Sequence, residues 1–463
     1  MSIALDGFGR KFAGKYIITP RDSTTGRRIN VLWIDPLRGT MWGCGANGVY
    51  TYSQSQSRLM RSDDNGATWI NVATLGTRNQ TTNGVLVHAA WPDMIYSVMV
   101  VHAATPANDV LLVSSSNFAA NYDGALFYSS GNIYTATPGS PITLTQAKYG
   151  DDQGMGTGAN FYTNVGTGYP SWSIDSNGTY AVIGEYSGKS ATGAWDRSVW
   201  MSTAAFGSPI GSIWKRIWYQ PGDGSNGAKN LHCHMVRIDP DGGCWLSFGD
   251  HARTVADQTD YAKGMWHSVT QPTPITSGKP AAQNTGSFTA VYTAITEYAR
   301  NPAGGWPAVR PITGMFCTGA AGQKYYVVGE DSMTPTEART ITSIRYDDAS
   351  YLPQVNLNAV GAGTNWLPMG GIFGTCQIDD NHLVAFATSE GSNNEASRPA
   401  LFVSSDSGNT WSEDVNFAIP QAAQNKLLWN AKSMQRNPDA NGYVWFGRAW
   451  EDACSFGYRP VFV

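Results

Sequence analysis

Residues 62–69 read Ser-Asp-Asp-Asn-Gly-Ala-Thr-Trp, and residues 404–411 read Ser-Ser-Asp-Ser-Gly-Asn-Thr-Trp. Both obey Ser-x-Asp-x-Gly-x-Thr-Trp, and each residue type in that frame suits a tight turn. Ser and Asp oxygens accept bonds from nearby backbone N–H groups. Gly takes positive φ without strain, and Trp offers a flat apolar body to the space between sheets. Each octet follows a short apolar strand opened by an arginine, at Arg58-Leu59-Met60-Arg61 and at Arg398-Pro399-Ala400-Leu401-Phe402-Val403. The same strand pattern occurs without the octet from Arg197 to Ser202 and at the chain end, Arg459-Pro460-Val461-Phe462-Val463.

A second repeat lies outside these strands. Residues 33–46 (WIDPLRGTMWGCGA) and 237–250 (RIDPDGGCWLSFGD) are each an apolar strand, a turn rich in Asp, Pro or Gly, and another apolar strand. The shape returns at 173–186 (SIDSNGTYAVIGEY), 377–390 (QIDDNHLVAFATSE) and 435–449 (QRNPDANGYVWFGRA). Weaker copies are 91–100 (WPDMIYSVMV) and 318–331 (TGAAGQKYYVVGED). Turn chemistry with alternating flanks predicts seven β-hairpins. Repetition at this period points to sheets arranged radially.

The 463 residues are 42% hydrophobic but only 14% charged, with 51 Gly. That balance excludes a charge-rich helical protein and agrees with an all-β chain full of turns. A formal net charge of −4 excludes a general nucleic-acid or anionic-membrane binder, which needs a basic surface. No run of about 18 apolar residues is present to span a bilayer. The N-terminal stretch lacks the apolar segment of a secretory signal. The expectation is therefore an extracellular or virion-associated protein exported by another route, with the cytoplasm as the alternative. Six cysteines, mostly inside apolar strands and without C-x-x-C, predict buried free thiols rather than disulfides or a zinc cluster.

The octet resembles the Asp-box, or BNR repeat, of sialidases and related β-propellers, where it forms the turn between the third and fourth strands of a blade. The resemblance implies an all-β propeller of four-stranded blades. The seven hairpins set the count at seven, with six, the number in sialidases, as the alternative. The chain stops at the end of its last third strand, so closure falls to an N-terminal strand within Lys15–Pro20, with residues 1–26 as arm and closing strand. Residues 1–463 then form one propeller domain, in which 101–170 and 252–310 are extended blades or insertions.

Strands of a blade alternate in direction, so the links from second to third strand emerge on the face opposite the octets. Second strands end at Glu185-Tyr186, Asp250-His251, Glu330-Asp331, Glu390 and Glu451. Third strands open near Arg58, Arg197, Arg398 and Arg459, and first strands begin near Arg28, His232, His234 and Trp429. In a chain poor in charge, this describes one charged pole. His232 and His234 stand at i and i+2, which puts them on one side of a regular strand. They read as a general base with its partner, as part of a site for a divalent cation, or as structural groups bonded to loop carbonyls. No motif demands a cofactor. The catalytic candidates are His232, His234, Tyr186, Glu185 and Asp250. The binding candidates are Arg28, Arg58, Arg197, Arg398 and Arg459 for carboxylates, with Trp195 and Trp429 as faces for sugar rings.

This set resembles the sialidase kit, a Tyr nucleophile activated by Glu together with three arginines that clamp a carboxylate. It also resembles seven-bladed propeller polysaccharide lyases, which use His and Tyr as base and acid near an Arg. That likeness implies His232 or His234 as base, Tyr186 as acid and Arg197 as neutraliser. Both resemblances imply an acidic polysaccharide or cell-surface glycan as partner, cleaved by a glycoside hydrolase or a lyase. The alternative is a non-catalytic glycan-recognition protein, such as a bacteriophage tail spike or fibre tip, assembled with other virion proteins or as a homo-oligomer. A protein-interaction scaffold is the third reading.

Overall fold

The structure is a computed structural model that describes residues 16–20, 28–45, 57–82, 85–92, 94–116, 124–150, 152, 159, 173–185, 197–221, 232–249, 265–276, 278, 280–291, 311–319, 321–330, 340–345, 355–356, 372–387, 400–417, 433–447 and 455–462. Among them are seven sheets of four or five strands. The first runs Ile29–Ile34, Met41–Gly45, Arg58–Ser62, Ile70–Thr74. The second runs Met94–Val101, Val110–Ser116, Gly124–Ser130, Thr143–Gln146. The third runs Ile174–Ser176, Tyr180–Gly184, Arg197–Thr203, Ile213–Gln220, with Lys148–Tyr149 added parallel to its last strand. The fourth is His232–Ile238, Cys244–Gly249, Met265–Ser268, Thr289–Ala290, and the fifth is Pro311–Thr318, Lys324–Glu330, Thr340–Arg345, Val355–Asn356. The sixth is Ile372–Gln377, Leu383–Ala387, Ala400–Ser404, Ser412–Glu413. The seventh is Ser433–Met434, Val444–Gly447, Phe456–Tyr458, completed by Tyr16–Ile18. A separate hairpin pairs Thr77–Thr82 with Val85–Pro92.

The last strand of the seventh sheet lies in the window read for it: Tyr16 faces Tyr458 and Ile18 faces Phe456, antiparallel. Thr19 extends the join, its N–H donating to the Ser455 carbonyl at 3.0 Å and its hydroxyl to the Ile29 carbonyl at 2.8 Å. One hairpin is corrected. Within 91–100 the two strands do not pair with each other: Val85–Pro92 pairs with Thr77–Thr82, and Met94–Val101 pairs with Val110–Ser116. The turn falls between them, around a 3-10 turn at Pro106–Asn108, where the Asp109 carboxylate takes the Ala103 N–H at 2.7 Å. Trp91-Pro92 closes a strand instead, in keeping with the missing N–H of proline. Much of 101–170 therefore belongs to the second sheet.

The two octets fold alike. Gly66 N–H donates to Ser62 Oγ at 2.8 Å, Thr68 N–H to Asp64 Oδ1 at 2.8 Å, and Trp69 Nε1 to the Gly66 carbonyl at 3.0 Å. The matching bonds at Gly408, Thr410 and Trp411 measure 2.9, 2.8 and 3.1 Å. Both glycines sit at positive φ, 84° and 86°. Trp411 then packs among Met315, Val327 and Phe402, joining the fifth and sixth sheets. A third turn shares the skeleton without the sequence: Gly211 N–H reaches Ser202 Oγ and Trp214 Nε1 reaches the Gly211 carbonyl, both at 2.7 Å.

The described residues divide into two compact units. In the unit containing Val309–Val463, Gly329 is the penultimate residue of a second strand, and a Cβ there would stand 2.5 Å from Ile372, which opens the next sheet. In the unit containing Ile70–Ala308, Gly184 is the last residue of a second strand, and a Cβ there would stand 2.3 Å from Cys233 Sγ. Glycine is required at both places because successive sheets approach closely there. The first strands of five sheets carry a second regularity, a one-residue register shift that leaves Leu32, Tyr96, His234, Ile312 and Phe373 as the extra residue. Among the described residues five cysteines are free and buried. Burial pushes the Cys44 and Cys317 thiols up to about 12, so they behave as small apolar groups. No helix among the described residues is long and apolar enough to cross a membrane.

Candidate functional site

Tyr180–Gly184 is buried along its whole length, and Glu185 is the first residue beyond it. The strand pairing continues one step further, with Glu185 N–H donating to the Ser198 carbonyl at 3.0 Å. From the next sheet, Cys233 N–H donates to the Glu185 carbonyl at 3.2 Å. Glu185 is thereby fixed between two sheets at the end of a second strand, where the alternation of strand direction places it. The residue is half-buried, and protein surrounds its carboxyl deeply enough to perturb its chemistry. Burial pushes its carboxyl up to about 7. The Arg216 charge, the Trp200 indole, the Arg197 charge and the Ser198 hydroxyl pull the other way and are outweighed.

Arg197 opens the third strand as expected but is only 1% exposed. At this burial it acts on Glu185 from within the sheet. Arg216, which sequence reasoning passed over, is 4% exposed. Its Nε donates to Ser198 Oγ at 3.1 Å and its NH1 to the Gly278 carbonyl at 3.0 Å. Its guanidinium lies 4.5 Å from the Trp200 ring centre and 5.2 Å from that of Tyr219. The signal was present in the order Trp214-x-Arg216-x-Trp218, a charge flanked two residues on either side by tryptophans that are both fully buried, although the register shift at Ile217 turns Arg216 and Trp218 to opposite faces.

His234 is buried, 5% exposed, one residue from the Cys233–Glu185 junction. It is the extra residue of the register shift between Cys233 and Met235. The two-residue alternation that put His232 and His234 on one side is interrupted there. At the corresponding shifts the residue is Leu, Tyr, Ile or Phe, so His234 is a titratable group in a place otherwise given to apolar ones. His232 holds its strand position opposite Gly249; its side chain lies outside the described residues, as do Tyr186, Asp250, Arg398, Trp195 and Trp429.

Arg28 belongs to the other unit, where its NH1 donates to the Thr19 carbonyl at 2.8 Å and ties down the N-terminal segment. Arg58 opens Arg58–Ser62, half-buried. Arg459 is exposed and follows the third strand Phe456–Tyr458 instead of opening it. Val444 pairs with Tyr458 and Phe446 with Phe456, so Arg459 sits at the end nearer the Asp439 turn, away from where the second strand finishes. This corrects its placement with the other third-strand arginines. Among the described residues no group of three or more His, Cys, Asp or Glu could hold a metal ion.

No family model matches the chain, and no curated protein matches its sequence. Solved structures do match in fold. A GH74 xyloglucanase from Xanthomonas campestris aligns over 94% of this chain at a TM-score of 0.50 and 11% identity. The chain spans about half, 52%, of that enzyme. An alpha-L-arabinanase of Penicillium chrysogenum aligns over 99% of this chain and 98% of its own, at a TM-score of 0.37 and 12% identity. The Hadza microbial sialidase Hz136 aligns over 84% of this chain and 66% of its own, at a TM-score of 0.34 and 11% identity.

Proposed function

We propose that the chain is one seven-bladed propeller closed by Tyr16–Ile18, and that it binds and cleaves an acidic polysaccharide or glycan at the pole where second strands end. The observation that carries this reading is Glu185, a half-buried residue whose carboxyl is pushed up to about 7 beside two buried arginines. A carboxyl titrating near neutrality is present in both forms there. It can give a proton to a departing sugar oxygen or take one from water or from carbon beside a carboxylate. His234 supplies a second group for proton transfer, while Tyr186, Asp250, Arg398, Trp195 and Trp429 are the proposed contributors from the surrounding loops. The likeness in fold to a xyloglucanase is consistent with a sugar polymer as ligand.

The test is turnover across acidic and neutral polysaccharides, followed by new reducing ends for hydrolysis and by near-ultraviolet absorbance for elimination. Glu185→Gln is expected to lower turnover by at least about 100-fold with oligosaccharide binding retained, and His234→Ala to lower it as well. Full turnover in Glu185→Gln, or no binding of any acidic glycan by the parent protein, would remove the proposal.

A further inference from the structure

Arg216 has more partners than packing alone requires. Its planar cation rests against two aromatic rings, and two of its nitrogens are spent on fixed oxygens, Ser198 Oγ and the Gly278 carbonyl. Ser198 joins it to Glu185, since the same residue accepts the Glu185 backbone N–H through its carbonyl and the Arg216 Nε–H through its hydroxyl. Trp200, two residues along that strand, lies under the guanidinium and also faces Glu185. A flexible side chain tied at four points has one position, and so exerts one field on the carboxyl beside it.

From this geometry we propose that Arg216 is a positioning residue for Glu185: a clamped, permanent positive charge held beside it through Ser198 and Trp200. The inference rests on the reading of Glu185 as the acid–base group but is measured without any substrate. Among the described residues, the charged and titratable groups by Glu185 are Arg216 and Arg197 from its own sheet, Cys233 from the next, and His234 adjoining Cys233. The Cys233 thiol is pushed up by its burial and stays neutral in the range concerned. Arg216 has the larger influence of the two arginines. Without it, burial of the carboxyl goes less opposed, and the titration of Glu185 must move to higher pH.

The experiment follows the Glu185 carboxyl by carbon-13 NMR as a function of pH in the full chain, with Glu185→Gln to assign the signal. The parent should titrate near neutrality. Arg216→Met should raise the midpoint by about 1 pH unit or more. Arg216→Lys, which keeps the charge but loses the Ser198 bond and the ring contacts, should raise it by a smaller amount. A midpoint in Arg216→Lys equal to that of the parent would overturn the proposal even where Arg216→Met fails to fold. So would a midpoint in folded Arg216→Met within about 0.3 unit of the parent. A correct titration shift with no glycan turnover would leave the positioning role standing and remove the enzymatic reading alone.

Discussion

At the scale of single residues, Glu185 costs stability at neutral pH. Its carboxyl binds a proton more tightly in the folded chain, at about 7, than at its ordinary value of 4.5. Below pH 4.5 both states are protonated and nothing is lost. Between 4.5 and 7 the unfolded chain ionises first, so stability falls as pH rises, and above 7 the full cost remains. Glu185→Gln should therefore raise Tm at pH 8 by about 2–4 °C or more and leave it unchanged at pH 4, in thermal melts across that range. An equal shift at both pH values would assign the effect to packing. Glu185 and Arg197 were legible in the sequence, since both follow from where a second strand ends and a third begins. The burial of Arg197 was not, because position along a strand does not say whether a side chain meets solvent or the neighbouring sheet. Arg216 carried a readable mark, a charge between two tryptophans on alternate positions, but the search for acids and arginines at strand ends looked past strand interiors. The pairing of His232 with His234 rested on unbroken alternation, and the extra residue at His234 depends on contact with the second strand.

At the scale of elements, turns and close sheet contacts define the repeat. Burial alone would raise the Asp406 carboxyl, but the Thr410 hydroxyl and N–H, the Ser404 hydroxyl and the Asn409 N–H outweigh it and hold it below its usual value. Its contribution to stability is present at neutral pH and is lost as pH falls through the lowered value. Asp406→Ala should cost about 1–2 kcal/mol at pH 7, with the difference from the parent narrowing in denaturant titrations toward pH 3. Gly329→Ala tests the second device. Its new Cβ would lie 2.5 Å from Ile372, and overpacking of this kind costs about 1–3 kcal/mol; an unchanged melting temperature would show that the sheets separate freely. Two octets announced their turns because every bonding residue is present in order. The third, at Ser202–Gly211–Trp214, escaped notice because a longer loop separates Ser from Gly and the Asp and Thr are replaced.

At the scale of the whole molecule, the proposed ring depends on a strand from one end of the chain completing a sheet made by the other. Tyr16–Ile18 and Thr19 supply backbone pairing and side-chain bonds to Phe456–Tyr458 and Ser455. Deleting residues 1–20 should lower Tm by about 5 °C or more and expose the C-terminal strand to proteolysis, whereas Thr19→Val should give a smaller loss; a truncated protein as stable as the parent would contradict closure. If an acidic glycan is met at the end of the second strands, around Glu185, chemical-shift mapping with a series of uronate- and sialate-bearing oligosaccharides should give saturable shifts at Glu185, Ser198, Arg216 and His234 that neutral oligosaccharides do not produce. Shifts confined to the Ser62–Trp69 and Ser404–Trp411 turns would contradict binding at that place.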